Sequence, residues 1–125
     1  MLTVFGTIAL DTTRTPFKTE TMILGGAATF ASLSSSMFTN SSIVGIVGSD
    51  FPAEYRTIID ERVDTRGIVT ENGGKTFHYD SSFDYDLSRR TSNKTELNVI
   101  AQFEPVIPDE YMKSEYIYLA NNDPR

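Results

Sequence analysis

The sequence contains no cysteine, so disulfides and thiolate metal sites are excluded. That usage fits a reducing compartment, and a cytoplasmic location is the expectation. No segment approaches the ~18 consecutive apolar residues of a membrane span. The start, "MLTVFG", has no basic region ahead of an apolar core, which argues against a signal peptide. Basic charge is scarce. Eleven Lys and Arg stand against 17 Asp and Glu, for a formal net charge of −6, and only Arg89 and Arg90 are adjacent. A nucleic-acid surface would need a basic stripe, and an acidic membrane would repel this chain. Neither partner is expected. His78 is the only histidine. Without a second histidine or a serine or cysteine nucleophile pattern it is given no catalytic role, and no metal-ligand spacing is present.

What is there reads as one modest globular domain: 125 residues, 39% hydrophobic and 22% charged. "LTVFGTIAL", residues 2–10, is apolar on both faces and rich in β-branched and aromatic residues, as in a strand covered on both sides. "DTTRTPFKTE", residues 11–20, reads as a loop or edge hairpin. From Ala27 the pattern turns helical, with Phe30, Leu33 and Met37 at i, i+3 and i+7 and serines on the other faces. "SIVGIVGSD", residues 42–50, predicts a second buried strand. Pro52 then suits the first turn of a helix whose apolar face is Tyr55, Ile58, Ile59 and Val63. The order β, α, β, α with short links predicts a parallel sheet with helical crossovers.

The second half changes character. "NGG", residues 72–74, is a turn signal. "KTFHYDSSFDYD" alternates in part, with Phe77, Tyr79, Phe83 and Tyr85 on one parity and His78 and Asp80 on the other. This predicts an antiparallel strand, and "LNVIAQF" returns to strand character. A small β-flap over about 72–102 is therefore expected, lying off the parallel sheet. "EYIYLANNDP" reads as another parallel strand. A parallel strand is normally followed by a covering crossover. None follows before Arg125, so the expectation is an incomplete domain.

Several marks then fall in order: "GTIALD", "GGAATFASL", "VGIVGSDFP", "RVDTRGI" and "GKTF" ahead of the flap. Together they resemble the amino-terminal half of a PfkB-type (ribokinase-like) carbohydrate kinase, across essentially the whole chain. The resemblance implies an α/β fold with a mostly parallel sheet and a small β-sheet lid closing over a sugar. It implies attack of a sugar hydroxyl on the γ-phosphate of ATP, with Mg²⁺ arriving on the nucleotide. It also implies a catalytic aspartate in a Gly-Ala-Gly-Asp motif. Neither that motif nor a Walker-type loop occurs in these residues. The expectation is thus the sugar- or nucleoside-binding portion of a kinase, inactive by itself. The alternative is a non-catalytic binding or oligomerisation module on the same fold.

Candidate site residues follow. Asp11 ends the first apolar run, and a carboxylate at a strand end can accept hydrogen bonds from neighbouring sugar hydroxyls; its other role would be capping a turn. Gly25 and Gly26 can bring backbone against a sugar, with N–H groups of the helix start donating to its oxygens, or can simply make a tight turn. Ala27 keeps the entrance open. Many relatives of this type carry an asparagine where Phe30 stands; its spacing to Leu33 favours core over stacking on a sugar. Asp50 reads as a helix N-cap. The flap aromatics Phe77, Tyr79, Phe83 and Tyr85 could cover a sugar or join two copies into a homodimer. Asn121, Asn122 and Asp123 lie past the last strand, where they could reach a ligand or cap a following helix.

Overall fold

The structure is a computed structural model, and it describes residues 1–122. Two four-stranded sheets carry the chain. The first is wholly parallel: β5 (Asp64–Glu71), β4 (Ser41–Gly48), β1 (Leu2–Phe5) and β8 (Tyr116–Leu119), in that order. Its crossovers run through α1 (Ala27–Ser35) and α2 (Ala53–Asp60). The second sheet is mixed, in the order β3 (Thr19–Gly25), β2 (Ala9–Arg14), β6 (Phe77–Phe83), β7 (Arg90–Glu96). Within it β2 runs parallel to β6, while β2/β3 and β6/β7 are antiparallel. Among the described residues no helix is long and apolar enough to cross a membrane.

β4 is the spine of the first sheet. All eight of its residues are buried, as expected of a central parallel strand covered on both faces. Ile43 and Val47 join Val4, Ile8, Ala28, Ile59, Val63 and Ile68 in the main core. A smaller cluster of Ile46, Val99 and Ile100 packs with Phe77 and Phe103. Truncating a fully buried isoleucine such as Ile43 to alanine costs about 2–5 kcal/mol, a large share of a small domain's stability.

The apolar run at residues 2–10 is not one strand. It breaks at Gly6, and β1 and β2 belong to different sheets. The backbone of Gly6 lies against Ala120, where a Cβ would come within 2.7 Å of the alanine methyl. The run stays apolar across the break because Ile8, in the link itself, is fully buried.

α1 turns its other face to the sheet. Ala28, Thr29 and Ser32 are buried, whereas Phe30 is 60% and Met37 65% exposed. Leu33 only borders the core. Small side chains let the helix lie close on β1 and β4, and the serines bond locally: Ser32 Oγ to the Thr29 carbonyl at 3.1 Å, and Ser35 Oγ with Ser41 Oγ at 2.7 Å. Close fit outweighed hydrophobic spacing here. α2 ends at Asp60; Ile59 within it and Val63 just beyond it are buried as the pattern predicts, but Ile58 is exposed.

Two further expectations change. Residues 98–102 form a short 3₁₀ turn instead of a strand; Val99 and Ile100 are apolar there because they roof Ile46. Asp50 is not the cap of α2, whose N-cap is Pro52. Its Oδ1 instead accepts hydrogen bonds from Thr76 N at 2.8 Å and Thr76 Oγ1 at 2.7 Å. The amide of Gly48 donates to the same Thr76 Oγ1 at 3.0 Å. This knot ties the end of β4 to the entry of β6, so it fixes one sheet against the other. Tyr55 of α2 also donates its hydroxyl to the Met22 carbonyl of β3 at 2.7 Å.

Candidate functional site

Register places the candidate residues. Across the second sheet, Asp11 lies between Ile23 and Tyr79, and Tyr79 pairs with Thr95. One row nearer the first sheet, Ala9 lies between Gly25 and Phe77. Side chains two residues apart share a sheet face. Ala9, Asp11, Phe77, Tyr79 and Thr95 therefore present one surface, and it forms one wall of a cleft of about 410 Å³. The facing wall comes from Thr7, Gly26, Ala27, Phe30 and Asn121, and Arg90 stands on the rim. Leu10, His78 and Glu96, of the other parity, border a separate hollow on the back of the sheet.

Among the described residues Asp11 is the only carboxylate on that surface. It lies inside β2 and not at the end of a parallel strand. Its Oδ1 is buried and has no hydrogen-bond partner among the described residues. Burial pushes its carboxyl pKa up from the ordinary 3.8, with the charge of His78 pulling the other way. An unsatisfied buried polar oxygen costs about 1–3 kcal/mol, and more when charged. A ligand donor that reached it would relieve that cost.

The two glycines serve different neighbours. The carboxyl group of Asp11 fills the space beside Gly25, where a Cβ would lie 2.1 Å from Oδ2. Gly26 has φ +101°, and its Cβ would lie 2.3 Å from the Thr7 carbonyl oxygen. Only glycine meets both demands at that corner. The first amides of α1 are not open to a ligand, contrary to the reading of the helix start as a donor. Ala27 N donates to Thr7 Oγ1 at 3.1 Å and Ala28 N to the Thr7 carbonyl at 3.0 Å. Thr7 Oγ1 in turn donates to Asn121 Oδ1 at 3.0 Å. Thr7 thus joins the β1–β2 link, the helix start and the segment after β8 into one wall.

Phe30 is not core. Its ring is exposed within the cleft, opposite Phe77 and Tyr79. No ring contact joins Phe30 to either of them, so the slot between stays open. Phe83 and Tyr85 do not line the cleft. β6 ends at Phe83, and Tyr85, 77% exposed, meets Phe17 edge-to-face with centroids 5.7 Å apart. That pair links the tips of the two hairpins. Asn122 is exposed and is not among the lining residues, whereas Asn121 is. Asp123 lies outside the described residues.

Four lining residues, Thr7, Ala9, Arg90 and Thr95, escaped the sequence reading. Thr7 was hidden within the apolar run, although a lone hydroxyl after a glycine was its signal. Arg90 and Thr95 sit in the polar stretch between the two expected flap strands, and only the register of β7 brings them to the cleft.

No family model matches the sequence, and no curated protein matches it. Solved structures do. A nucleoside kinase from Burkholderia thailandensis in complex with inosine aligns with a TM-score of 0.69 at 14% identity, over 82% of this chain and 38% of that one. A nucleoside kinase from Methanocaldococcus jannaschii, an archaeal member of the ribokinase family, aligns with a TM-score of 0.69 at 16% identity, over 98% of this chain and 45% of that one. A pyrophosphate-dependent kinase in the ribokinase family, in a sulfate complex, aligns with a TM-score of 0.57 at 15% identity, over 77% of this chain and 34% of that one. The chain spans less than half the length of each. The parallel sheet with its helical crossovers and the small mixed sheet beside it are the ribokinase-like α/β fold.

Proposed function

We propose that this chain is the acceptor-binding portion of a PfkB-type kinase, one that moves the γ-phosphate of ATP to a hydroxyl of a sugar or nucleoside. The observation that carries this reading is the orphaned oxygen of Asp11 in a cleft between the second sheet and the start of α1. A buried carboxylate accepts hydrogen bonds and donates none, so it selects a ligand with hydroxyl donors. Phe30, Phe77 and Tyr79 offer ring faces to the apolar side of a sugar or to a base. The second sheet would act as a lid, covering the acceptor, excluding water and holding one hydroxyl in line for transfer. Kinases sharing the fold bear on the reaction class, and one of them is a nucleoside kinase in complex with inosine.

Among the described residues no group of His, Cys, Asp or Glu is placed to hold a metal ion. On this reading ATP, its Mg²⁺ and the catalytic aspartate belong to the part of the fold that this chain does not span. What the chain's own residues do is bind and orient. Phe17 and Tyr85, exposed on the lid tip, are the surface through which two copies would pair.

The test is a binding panel of sugars, polyols and nucleosides followed by chemical-shift mapping, with ATP turnover measured in parallel. Saturable binding at the cleft with no turnover by this chain alone is expected. Turnover by the chain alone would put the chemistry in the wrong place, and failure of every hydroxylated compound to bind would remove the acceptor role.

A further inference from the structure

We propose that Arg90 makes the cleft selective for an acceptor carrying an anionic group, a carboxylate or a phosphate ester. This rests on the reading of the cleft as an acceptor site, and it narrows the class of acceptor.

Arg90 opens β7 and lines the cleft. Its guanidinium carbon lies 5.6 Å from the centroid of the Tyr79 ring, in cation–π range. Tyr79 is itself held, because its hydroxyl is hydrogen-bonded to Ser92 Oγ. The arginine head therefore rests on a positioned ring at the rim of the cavity.

Among the described residues the cation has no carboxylate partner. On the same sheet Arg14 is paired with Asp80, Lys18 with Glu20 and Lys94 with Glu96. Arg90 takes part in no ion pair among the described residues, although acidic side chains outnumber basic ones. Asp11 and Arg90 do not neutralise each other across the cleft either. Tyr79 is the neighbour of Asp11 in the sheet and the platform of Arg90, so it lies between the two charges. A ligand lying along Tyr79 would put hydroxyls at Asp11 and its charged end at Arg90. The planar fork of a guanidinium donates to carboxylate and phosphate oxygens in pairs, and the ring contact leaves that fork exposed at its edge.

The experiment compares matched ligands on the intact chain: D-gluconate with D-gluconamide for a carboxylate, and D-glucose 6-phosphate with D-glucose for a phosphate ester. The expected result is tighter binding of at least one anionic member, by about tenfold or more. The preferred pair identifies the source of the charge. In Arg90→Gln the ratio within that pair should fall close to one, and Arg90→Lys should retain part of it. Raising salt should narrow the preference in the parent, because the guanidinium is solvent-exposed. If both members of each pair bind equally, the anion proposal fails while the acceptor reading stands. If neither member of either pair binds and neutral sugars or nucleosides outside the pairs do, the anion proposal again fails alone. If no hydroxylated ligand binds, both fall.

Discussion

The carboxyl group of Asp11 occupies the volume that a side chain at Gly25 would need, with Oδ2 only 2.1 Å from the place of the missing Cβ. Two strands of one hairpin thus share one space. β2 supplies a charge, and β3 supplies the absence of a side chain that lets this charge turn into the cleft. The pairing of Ala9 with Gly25 and of Asp11 with Ile23 fixes this arrangement in the register.

Substituting Gly25→Ala should therefore act on the site and on stability together. The new methyl must displace a half-buried carboxylate or shift the hairpin, at a cost of about 1–3 kcal/mol. Urea unfolding checks the stability term, and ligand titration checks the site. A Gly25→Ala protein that unfolds and binds like the parent would show that Asp11 has room to move aside at no cost.

A second prediction concerns the edge of the parallel sheet, away from the cleft. The hydroxyl of Tyr111 donates to Asp64, whose carbonyl and Oδ1 both lie 2.8 Å away, and accepts the Gly67 amide at 3.1 Å. Tyr111→Phe leaves that amide buried without a partner and should cost about 1–3 kcal/mol. Arg66 and Tyr111 hold the Asp64 carboxyl at about 2, below the ordinary 3.8. A depressed folded-state pKa stabilises the protein above the unfolded value. That contribution is lost as pH falls from about 3.8 through about 2. Denaturation midpoints measured across this window should fall less steeply in Asp64→Asn than in the parent. An identical slope would mean that the group does not contribute.

The sequence revealed the layers better than the contacts. β4 and the crossover helices were legible because a continuous apolar run and a helical repeat each have one simple explanation. The break at Gly6 was not, since the residues on both sides of it and Ile8 within it are buried for different reasons. The spacing of Phe30 to Leu33 favours the core over a sugar face; the tight seating of Ala28, Thr29 and Ser32 on the sheet reverses the helix faces. Asp50 had the look of a cap because it precedes a proline-led helix, yet Thr76, far along the chain, takes its carboxylate. Within the cleft, Phe77 and Tyr79 could be marked from their alternation, and Asp11 from its place at the end of an apolar run. Thr7, Arg90 and Thr95 could not, because their positions depend on which strands pair and in what register.

The most direct test of the account is the affinity of an identified hydroxylated ligand for the parent and for Asp11→Asn, measured across pH. The carboxylate form accepts the ligand's hydroxyls, so parent affinity should fall on acidification with a midpoint above 3.8, because burial raises the Asp11 pKa. Asp11→Asn should bind about tenfold more weakly near neutral pH and lose that titration. Equal affinity in both proteins, with the same pH profile, would contradict the assignment of Asp11 as the anchor of the site.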